Sequence, residues 1–442
     1  MRTNQVRRIV MGLCLAGIFA SASPAFSQAG RPPSILGQKE RAGAFDRVLK
    51  IRLETVLPEI MRRENIDMWV VICREYNEDP VYLTLVPYSS MAARRLSILV
   101  FYDKGTAGLE RLSVSRYGIG EFYKAMYTPG KIDQWERLAQ IIRERNPKKI
   151  AVDESDTFAF GDGLSASHKA RLIQALGPDL AKRLVPAERL AVGWLERRTP
   201  EELEIYGQIV GIAHDIVADA FSRAVITPGV TTAEDVVWWL RERVAELKLE
   251  TWFQPSISIQ RPASTAPGDG RAIHRGDLLH CDFGIAYLGL NTDTQELAYV
   301  LKEGEMDAPE GLKAALGRGN RLQDILIGEF REGRTGNEIL AAALKKAVDE
   351  GLKPSIYTHP LGFHGHAAGP TIGLWDMQEG VPGPGDYRLF FDTVYSIELN
   401  VRTGIPEWKN QEVEIALEQD AAFTRAGAYF IDGRQTRLRL IK

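Results

Sequence analysis

Acidic side chains occur inside strand-like stretches in the second half of the chain. Residues 280–297 read His-Cys-Asp-Phe-Gly-Ile-Ala-Tyr-Leu-Gly-Leu-Asn-Thr-Asp-Thr-Gln-Glu-Leu and predict a hairpin that turns at Gly289. Asp282 and Asp293 lie within this hairpin. A carboxylate in an apolar strand is costly unless a partner compensates it. Either the compensation is local, with Asp293 capping its own loop and Asp282 in a salt bridge, or the strands hold a metal ion.

Histidines and two further acids follow the hairpin. Residues 359–366 read His-Pro-Leu-Gly-Phe-His-Gly-His, and glycine lets the backbone approach a site closely. The alternative is a short surface tract that scavenges metals. Glu398 and Glu418 each place one acid in a strand-like stretch. A single acid of this kind usually faces solvent, but here the pattern is repeated beside the Asp pair and the histidines.

Together these residues form a candidate ligand set of four carboxylates and one imidazole. The set consists of Asp282, Asp293, His359, Glu398 and Glu418. Without a thiolate it suits harder divalent ions. Four carboxylates in one pocket raise one another's pKa unless cations balance them. Two ions bridged by carboxylates can hold a hydroxide that is nucleophilic near neutral pH. We therefore expect two divalent metal ions, manganese first, with zinc, cobalt or iron as alternatives.

The composition is that of an ordinary globular protein. The 442 residues are 45% hydrophobic and carry a formal net charge of −3, enough chain for two domains with sizeable cores. No long basic run is present, so we expect no nucleic acid partner. Cys73 and Cys281 fall in different predicted domains and are expected to be free, buried thiols.

The N-terminus has the pattern of a secretory signal peptide. Three arginines precede an apolar run at 9–20, and small residues follow up to a cleavage site after Ser27. The run is short for a membrane span, although an N-terminal anchor is the alternative. Residues 1–27 are thus predicted to be removed, which would lower the formal net charge to −6 because they contain three basic and no acidic residues. We expect a secreted or periplasmic protein without stable membrane insertion.

The first half of the mature chain alternates strands and helices. This pattern predicts a smaller α/β domain over 35–190 with a mostly parallel sheet. His168, its one histidine, is expected on the surface. The predicted helices are 42–63, with a kink at Pro58, and 132–145, and the predicted strands are 68–73, 96–102, 112–117 and 149–152.

A second domain is predicted over 195–442. Thr199, Pro200 and Glu202 predict a capped helix start, and Thr231 with Glu234 predicts a second capping box. A third amphipathic helix is expected at 336–350, after the hairpin.

The ligand set, in the order Asp, Asp, His, Glu, Glu, resembles that of the creatinase, prolidase, aminopeptidase P and methionine aminopeptidase superfamily, the "pita-bread" metallopeptidases. Residues 276–284, 292–294, 396–398 and 417–418 are similar to its acidic motifs. His359, Gly362 and His366 are similar to its His-x-x-Gly-x-x-x-His segment, and 199–202 and 227–229 to its opening helices. The resemblance covers about residues 192–442 and, more loosely, the N-terminal domain.

The resemblance implies an α+β fold, in which a pita-bread catalytic domain follows a smaller α/β creatinase-like domain. It implies that Asp282 chelates one ion, that Asp293 and Glu418 bridge both ions, and that His359 and Glu398 bind the other. Glu398 would also be the general base. His366 would donate a hydrogen bond to the tetrahedral intermediate. The alternative for His366 is a loop histidine packed on a neighbour such as Trp375.

Three departures from the family pattern lie outside the ligand set. Family peptidases usually carry another His upstream of the first Asp, whereas residues 261–266 contain none. Glu296 and Ala416 stand where two arginines are usual.

The resulting expectation is an exported dinuclear hydrolase that resembles Xaa-Pro aminopeptidase or prolidase and cleaves short peptides. The alternatives are a creatinase-like or lyase-like enzyme of the same fold acting on a small metabolite, and a catalytically inactive binding module. A homodimer is expected by analogy with the family.

Overall fold

The computed structural model describes residues 35–263 and 271–442. The predicted signal peptide, residues 1–27, lies outside the described residues. Residues 35–442 form a single unit by their contacts, so the boundaries 35–190 and 195–442 stay predictions. None of the helices in the described part of the chain combines the length and apolar composition that crossing a bilayer requires.

The first half builds one six-stranded sheet covered by helices. Its strand order is β4-β3-β2-β1-β5-β6. The predicted helix 42–63 begins earlier, at Gln38, and contains a π-helical turn at Arg52–Val56 just before Pro58, which has no N–H to donate. The elements are α1 (Gln38–Ile51), α2 (Leu57–Arg63), β1 (Met68–Arg74), α3 (Tyr82–Leu85), β2 (Leu96–Asp103), β3 (Leu109–Ser113), β4 (Lys124–Ala125), α4 (Gln134–Arg145), β5 (Ile150–Val152), α5 (Ala166–Ala181), β6 (Leu184–Pro186) and α6 (Glu188–Glu196).

This sheet is mixed, so the prediction of a mostly parallel sheet was only partly right: three of its five strand pairs, β1–β5, β3–β4 and β5–β6, are parallel, but the two longest pairs are antiparallel. β1 pairs antiparallel with β2 along its whole length, and β2 pairs antiparallel with β3, whereas the parallel pairs of β5 are short. The connection 104–108 between β2 and β3 is too short for a parallel crossover. The surface prediction for His168 was wrong, because its ring packs 5.8 Å from that of Trp135 and is buried.

The second half contains the remaining sheets and the two longest of the described helices. Their strand orders are β10-β9, β19-β11-β8-β7, β12-β15-β16 and β13-β14-β17-β18. The elements are α7 (Pro200–Ala220), α8 (Ala233–Glu246), β7 (Ser256–Gln260), β8 (Leu278–Phe283), β9 (Ala286–Tyr287), β10 (Leu290–Asn291), β11 (Thr294–Val300), α9 (Glu310–Ile327), α10 (Gly336–Asp349), β12 (Pro354–Ile356), β13 (His359–Leu361), β14 (Thr393–Ser396), β15 (Leu399–Ile405), β16 (Gln411–Leu417), β17 (Asp420–Thr424), β18 (Gly427–Phe430) and β19 (Arg439–Ile441).

Reciprocal side-chain caps start three helices of this half, α7, α8 and α10. The predicted box of Thr199 and Glu202 begins α7. The second box was predicted one residue too early, since Thr232 and Asp235 form it at the start of α8. Thr231 instead accepts a hydrogen bond from the Thr227 amide.

The predicted hairpin is present and turns at Leu288 and Gly289. Both residues have positive φ, as a tight hairpin turn requires. Side chains alternate between the two faces of β8 and β11. One face, which includes Cys281 and Phe283, packs into the apolar core formed with α7 and α8. The opposite face carries the polar residues described next.

Candidate active site

The antiparallel register of the hairpin strands places Asp282 and Gln295 opposite each other. Asp282 in β8 also pairs with Ser256 of β7. Asp293 immediately precedes β11 and lies two residues before Gln295. Because side chains in a strand alternate between its two faces, both side chains point to the same side. The alternative of a loop-capping Asp293 and a salt-bridged Asp282 gains no support, since the described residues show no such contact for either carboxylate.

The two glutamates lie at junctions between sheets, not within strands as the sequence suggested. Glu398 lies between β14 and β15, and Glu418 lies between β16 and β17. At both points the chain passes from one sheet to another. Reciprocal bonds between the Thr358 hydroxyl and the backbone of Glu398 fix one junction. A bridge between the backbones of Gln295 and Glu418 fixes the other against the hairpin.

The structure brings His359 together with three carboxylates. Its Nε2 lies 3.5 Å from Glu418 Oε1, 3.6 Å from Asp293 Oδ2 and 3.9 Å from Glu398 Oε2. Asp293, His359 and Glu418 are buried, and their ligand atoms lie within 4.8 Å of one another. Among the described residues no other group of three ligand-type side chains meets this condition. Asp282 is not a member of this group, but its carboxyl interacts electrostatically with Glu418.

The cluster fits a divalent cation. His359 Nδ1 lies 3.0 Å from the carbonyl oxygen of Pro360, to which it donates, so Nε2 presents a lone pair to the carboxylates. Nε2 and Asp293 Oδ1 are both buried without a hydrogen-bond partner. Lone pairs that face one another in a buried site need a proton or a metal ion between them. The donor types suit manganese, iron, cobalt or zinc.

Burial and mutual repulsion shift the acids of this cluster. Burial, followed by the charge of Glu418, raises the pKa of Asp282 to about 8. The same two causes, in the same order, raise the pKa of Asp293 and of Glu398 well above the ordinary range. Without cations the pocket therefore favours protonated acids, and dications would reverse that preference.

The remaining histidines occupy different places. His366 is exposed, and its ring packs edge-on against His359, with centroids 4.6 Å apart, and against Trp252 at 5.2 Å. Its neighbour is therefore Trp252 and not Trp375. Partial desolvation of its ring, and then the nearby His359, lower the pKa of His366. His364 stacks on Phe160 at 4.6 Å.

The structure gives the surroundings of the residues at which the chain departs from the family pattern, except for residues 264–266. Glu296 points to the other side of β11 from Gln295 and forms an ion pair with Arg439 of β19. Ala416 lies opposite Asn400 in the β15–β16 ladder. Arg261 forms a 2.8 Å ion pair with the buried Asp277, and residues 264–270 lie outside the described residues.

Two polar residues of the site received no role from the sequence. Gln295 donates to both Glu398 and Glu418. Asp420 is buried and accepts a hydrogen bond from the Asp293 amide at 3.1 Å. The available signal for Gln295 was its position two residues after Asp293 in a strand, which puts both on one face.

Comparison with known proteins agrees with this geometry. The model of metallopeptidase family M24 matches residues 208–425. No curated protein matches the chain in sequence. An X-Pro aminopeptidase from Thermotoga maritima has a similar fold, with a TM-score of 0.61 at 17% identity over 86% of this chain and 99% of that one. An Xaa-Pro dipeptidase from Bacillus anthracis has a TM-score of 0.58 at 16% identity over 90% and 99%. The N-terminal domain of FACT complex subunit SPT16 from chickpea has a TM-score of 0.54 at 12% identity over 91% and 98%.

The fold and the family model define a metallopeptidase-type hydrolase. Residues 208–425 match metallopeptidase family M24, and the expected pita-bread fold is confirmed. At these identities the structural neighbours establish the fold alone.

Proposed function

We propose that this chain is a dinuclear, metal-dependent exopeptidase that releases the N-terminal residue of short peptides, with preference for proline in the second position. The observation that carries the proposal is the buried cluster of Asp293, His359 and Glu418, in which His359 Nε2 and Asp293 Oδ1 have no hydrogen-bond partner. The Xaa-Pro peptidases among its structural neighbours support the substrate class.

The proposed ligands divide into two sets. His359 and Glu398 would hold one ion, Asp282 would hold the second, and Asp293 and Glu418 would contribute to both. Bound divalent ions supply positive charge that makes a water nucleophilic near neutral pH and polarises a carbonyl group. Manganese is the first choice by the family resemblance.

Two side chains are proposed to act on the substrate. Glu398 is half-buried, and its Oε2 faces the cluster, where it would accept a proton from the attacking water and pass it to the leaving amine. His366 lies at the exposed edge of the cluster against His359. There it would donate a hydrogen bond to the oxygen that gains charge during attack on the peptide bond.

Export is part of the proposal and rests on the sequence alone. The N-terminal sequence of the protein recovered from its native cell would begin at or near Gln28. Recovery of the chain with Met1 or residue 2 at its N-terminus would contradict export by signal cleavage.

The decisive experiment is a panel of dipeptides and tripeptides, with and without proline in the second position, assayed with manganese. We expect turnover of the proline peptides by the wild type and none by Asp293→Ala. His214→Ala is the matched control, because His214 pairs with Asp432 away from the cluster and should retain activity. A wild type that binds metal but turns over no peptide would contradict the proposed peptidase activity. It would favour the alternative, an enzyme of this fold that acts on a small metabolite.

A further inference from the structure

Phe363 lies between His359 and His366 in the chain, and its ring contacts two buried guanidinium groups. The central carbon of the Arg52 guanidinium lies 5.0 Å from the ring centroid, and that of Arg198 lies 4.9 Å from it. At such distances a cation is attracted to the face of an aromatic ring, and more strongly when both are shielded from water. The two arginine side chains are shielded, with 1% and 0% of their surface exposed.

The charges around this ring explain why it is held there. Glu202 is the carboxylate partner of both Arg52 and Arg198, at 2.7 Å and 2.9 Å, so that one negative charge faces two positive charges. Backbone carbonyl groups in the last turn of α6 accept further hydrogen bonds from the two arginines. The C-terminal end of a helix carries a partial negative charge, which balances part of the excess. The negative face of the Phe363 ring adds to this balance.

Two side chains of segment 362–366 pack on the first half of the chain. Phe363 contacts Arg52, which belongs to the π-helical turn that follows α1. His364 stacks on Phe160, with ring centroids 4.6 Å apart. The segment is therefore held on one side by residues that lie outside the sheets of the metal cluster.

The backbone of this segment is also fixed. The Gly362 amide donates a hydrogen bond to the carbonyl oxygen of His364 at 3.1 Å, and the Ala367 amide donates to that of Pro360 at 3.0 Å. A displacement of the anchoring ring would therefore move the histidine at the end of the segment.

His366 ends the segment beside the metal cluster. Its ring packs edge-on against that of His359, with centroids 4.6 Å apart, and against that of Trp252 at 5.2 Å. Gly365 touches the same indole, because a Cβ there would lie 2.3 Å from the ring of Trp252. A misplacement of about 1 Å in a catalytic site can cost about 100-fold in rate. The function of His366 thus depends on how firmly the segment is held.

We propose that Phe363 is a positioning residue, which holds segment 362–366 against Arg52 and Arg198 and thereby places His366 for the reaction. The inference rests on the proposed function. It adds that Arg52, a residue of the first half of the chain, acts on the site through this ring.

The test compares the steady-state kinetics of the manganese-loaded full chain and its variants on a tripeptide with proline in the second position. Phe363→Leu removes the ring but keeps an apolar side chain, and it should lower kcat by about 10- to 100-fold while KM changes by less than about threefold. Phe363→Tyr keeps the ring and should recover most of kcat. Elemental analysis should find the wild-type amount of manganese in both variants, because Phe363 is not among the proposed ligands.

A double substitution shows whether Phe363 acts through His366. In the His366→Ala background, Phe363→Leu should have little further effect on kcat, because the residue that it positions is gone. Arg52→Met is a second variant, which removes one guanidinium group from the ring and leaves Glu202 paired with Arg198. It should lower kcat in the same way and should also have little further effect in the His366→Ala background.

Phe430→Leu is the matched control. Arg434 lies 5.3 Å from the centroid of the Phe430 ring, which belongs to β18 and not to the segment. This variant loses the same kind of contact, and it should keep the kcat of the wild type.

Hydrogen–deuterium exchange of the amides in 362–367, followed by mass spectrometry, gives a readout that does not depend on activity. Loss of the anchor should speed this exchange by about threefold or more in Phe363→Leu and in Arg52→Met, because local opening becomes easier. Phe430→Leu should exchange these amides at the rate of the wild type.

The outcomes distinguish this inference from the proposed function. An unchanged kcat in Phe363→Leu, or a loss of kcat that persists in full in the His366→Ala background, would refute the role of Phe363 and leave the metallopeptidase standing. A wild type that turns over no peptide would contradict the proposed function instead. Exchange would then decide about the anchor, since an unchanged rate in Phe363→Leu would refute it and a faster rate would support it.

Discussion

His359 Nε2 and Glu418 Oε1 lie 3.5 Å apart in the interior, and both atoms present lone pairs. His359 Nδ1 donates its proton to Pro360, so a neutral imidazole has no second proton for the carboxylate. The strands bring these residues together from opposite sides of β14, which links β13 and β17 in one sheet. A proton or a metal ion between the two atoms would satisfy both of them.

The first prediction concerns the stability that metal binding adds. An ion that binds only the folded state should raise the free energy of unfolding by about 2.7 kcal/mol when its free concentration is one hundred times its dissociation constant. The melting temperature of the wild type should therefore rise with manganese and fall with EDTA. His359→Ala should lose most of this shift while His214→Ala keeps it. A wild-type melting temperature that does not change with manganese would argue against the cluster as a manganese site.

The second prediction concerns Glu202, which neutralises two buried arginines. Its carboxylate lies 2.7 Å from Arg52 and 2.9 Å from Arg198, and all three side chains are buried. Burial would raise the pKa of Glu202, but Arg198 and Arg52 outweigh it and lower that pKa. Glu202→Ala leaves two guanidinium groups without a counter-charge and should lower the free energy of unfolding by about 3–5 kcal/mol in urea denaturation.

The control for Glu202 is an exposed ion pair. Lys345 and Asp349 lie on the surface of α10, with 75% and 60% of their side chains exposed. Lys345→Ala should leave the denaturation midpoint close to that of the wild type. Equal effects of the two substitutions would refute the buried counter-charge as the cause.

The third prediction concerns the pH dependence of stability. Burial raises the pKa of Glu196 from 4.5 to about 8, although Arg63 and a hydrogen bond from the Tyr387 hydroxyl oppose the shift. Between these values the folded state keeps a proton that the unfolded chain releases. The contribution of Glu196 is therefore full below pH 4.5 and is lost as the pH rises to about 8.

Glu196→Gln isolates this contribution, because the amide cannot ionise. The stability of the wild type relative to the variant should fall across this pH range, by at most about 1.4 kcal/mol per pH unit. Denaturation of both proteins at several pH values measures the difference. A difference that is constant, or that grows with pH, would show that Glu196 is ionised in the folded protein.

The fourth prediction concerns His366. If it stabilises the developing oxyanion, His366→Ala should lower kcat by about 10²–10³-fold, with a smaller change in KM. Metal content should stay at the wild-type level, since His366 is not among the proposed ligands. His366→Gln keeps a donor and should recover part of kcat. A parallel loss of bound metal would instead assign His366 to the metal site.

Much of the fold and of the ligand set was predictable because local signals carried it. The capping box at Thr199 and the hairpin turn at Gly289 are encoded in a few adjacent residues. The order of the acids and His359 along the chain resembles that of a known family, and this resemblance predicted the ligand set. The mixed first sheet was missed because alternating strands and helices do not reveal which strands pair.

The polar network around the acids was harder to predict because it depends on register between distant segments. Gln295 acquires its role only when β11 pairs with β8 and both junctions, at Glu398 and Glu418, close over it. Likewise, Glu296 stands in the sequence where the family usually has an arginine. In the structure Arg439, from the C-terminal strand, forms an ion pair with it. Such long-range partners leave no local pattern.

The central claim is that the cluster holds a metal ion, and the metal content of the purified protein tests it most directly. After incubation with manganese and gel filtration, elemental analysis of the wild type should find at least one ion per chain. In the Asp293→Ala variant the same analysis should find close to no metal, while circular dichroism shows that the variant remains folded. A metal-free wild type, or a folded Asp293→Ala variant that retains its ion, would contradict the account.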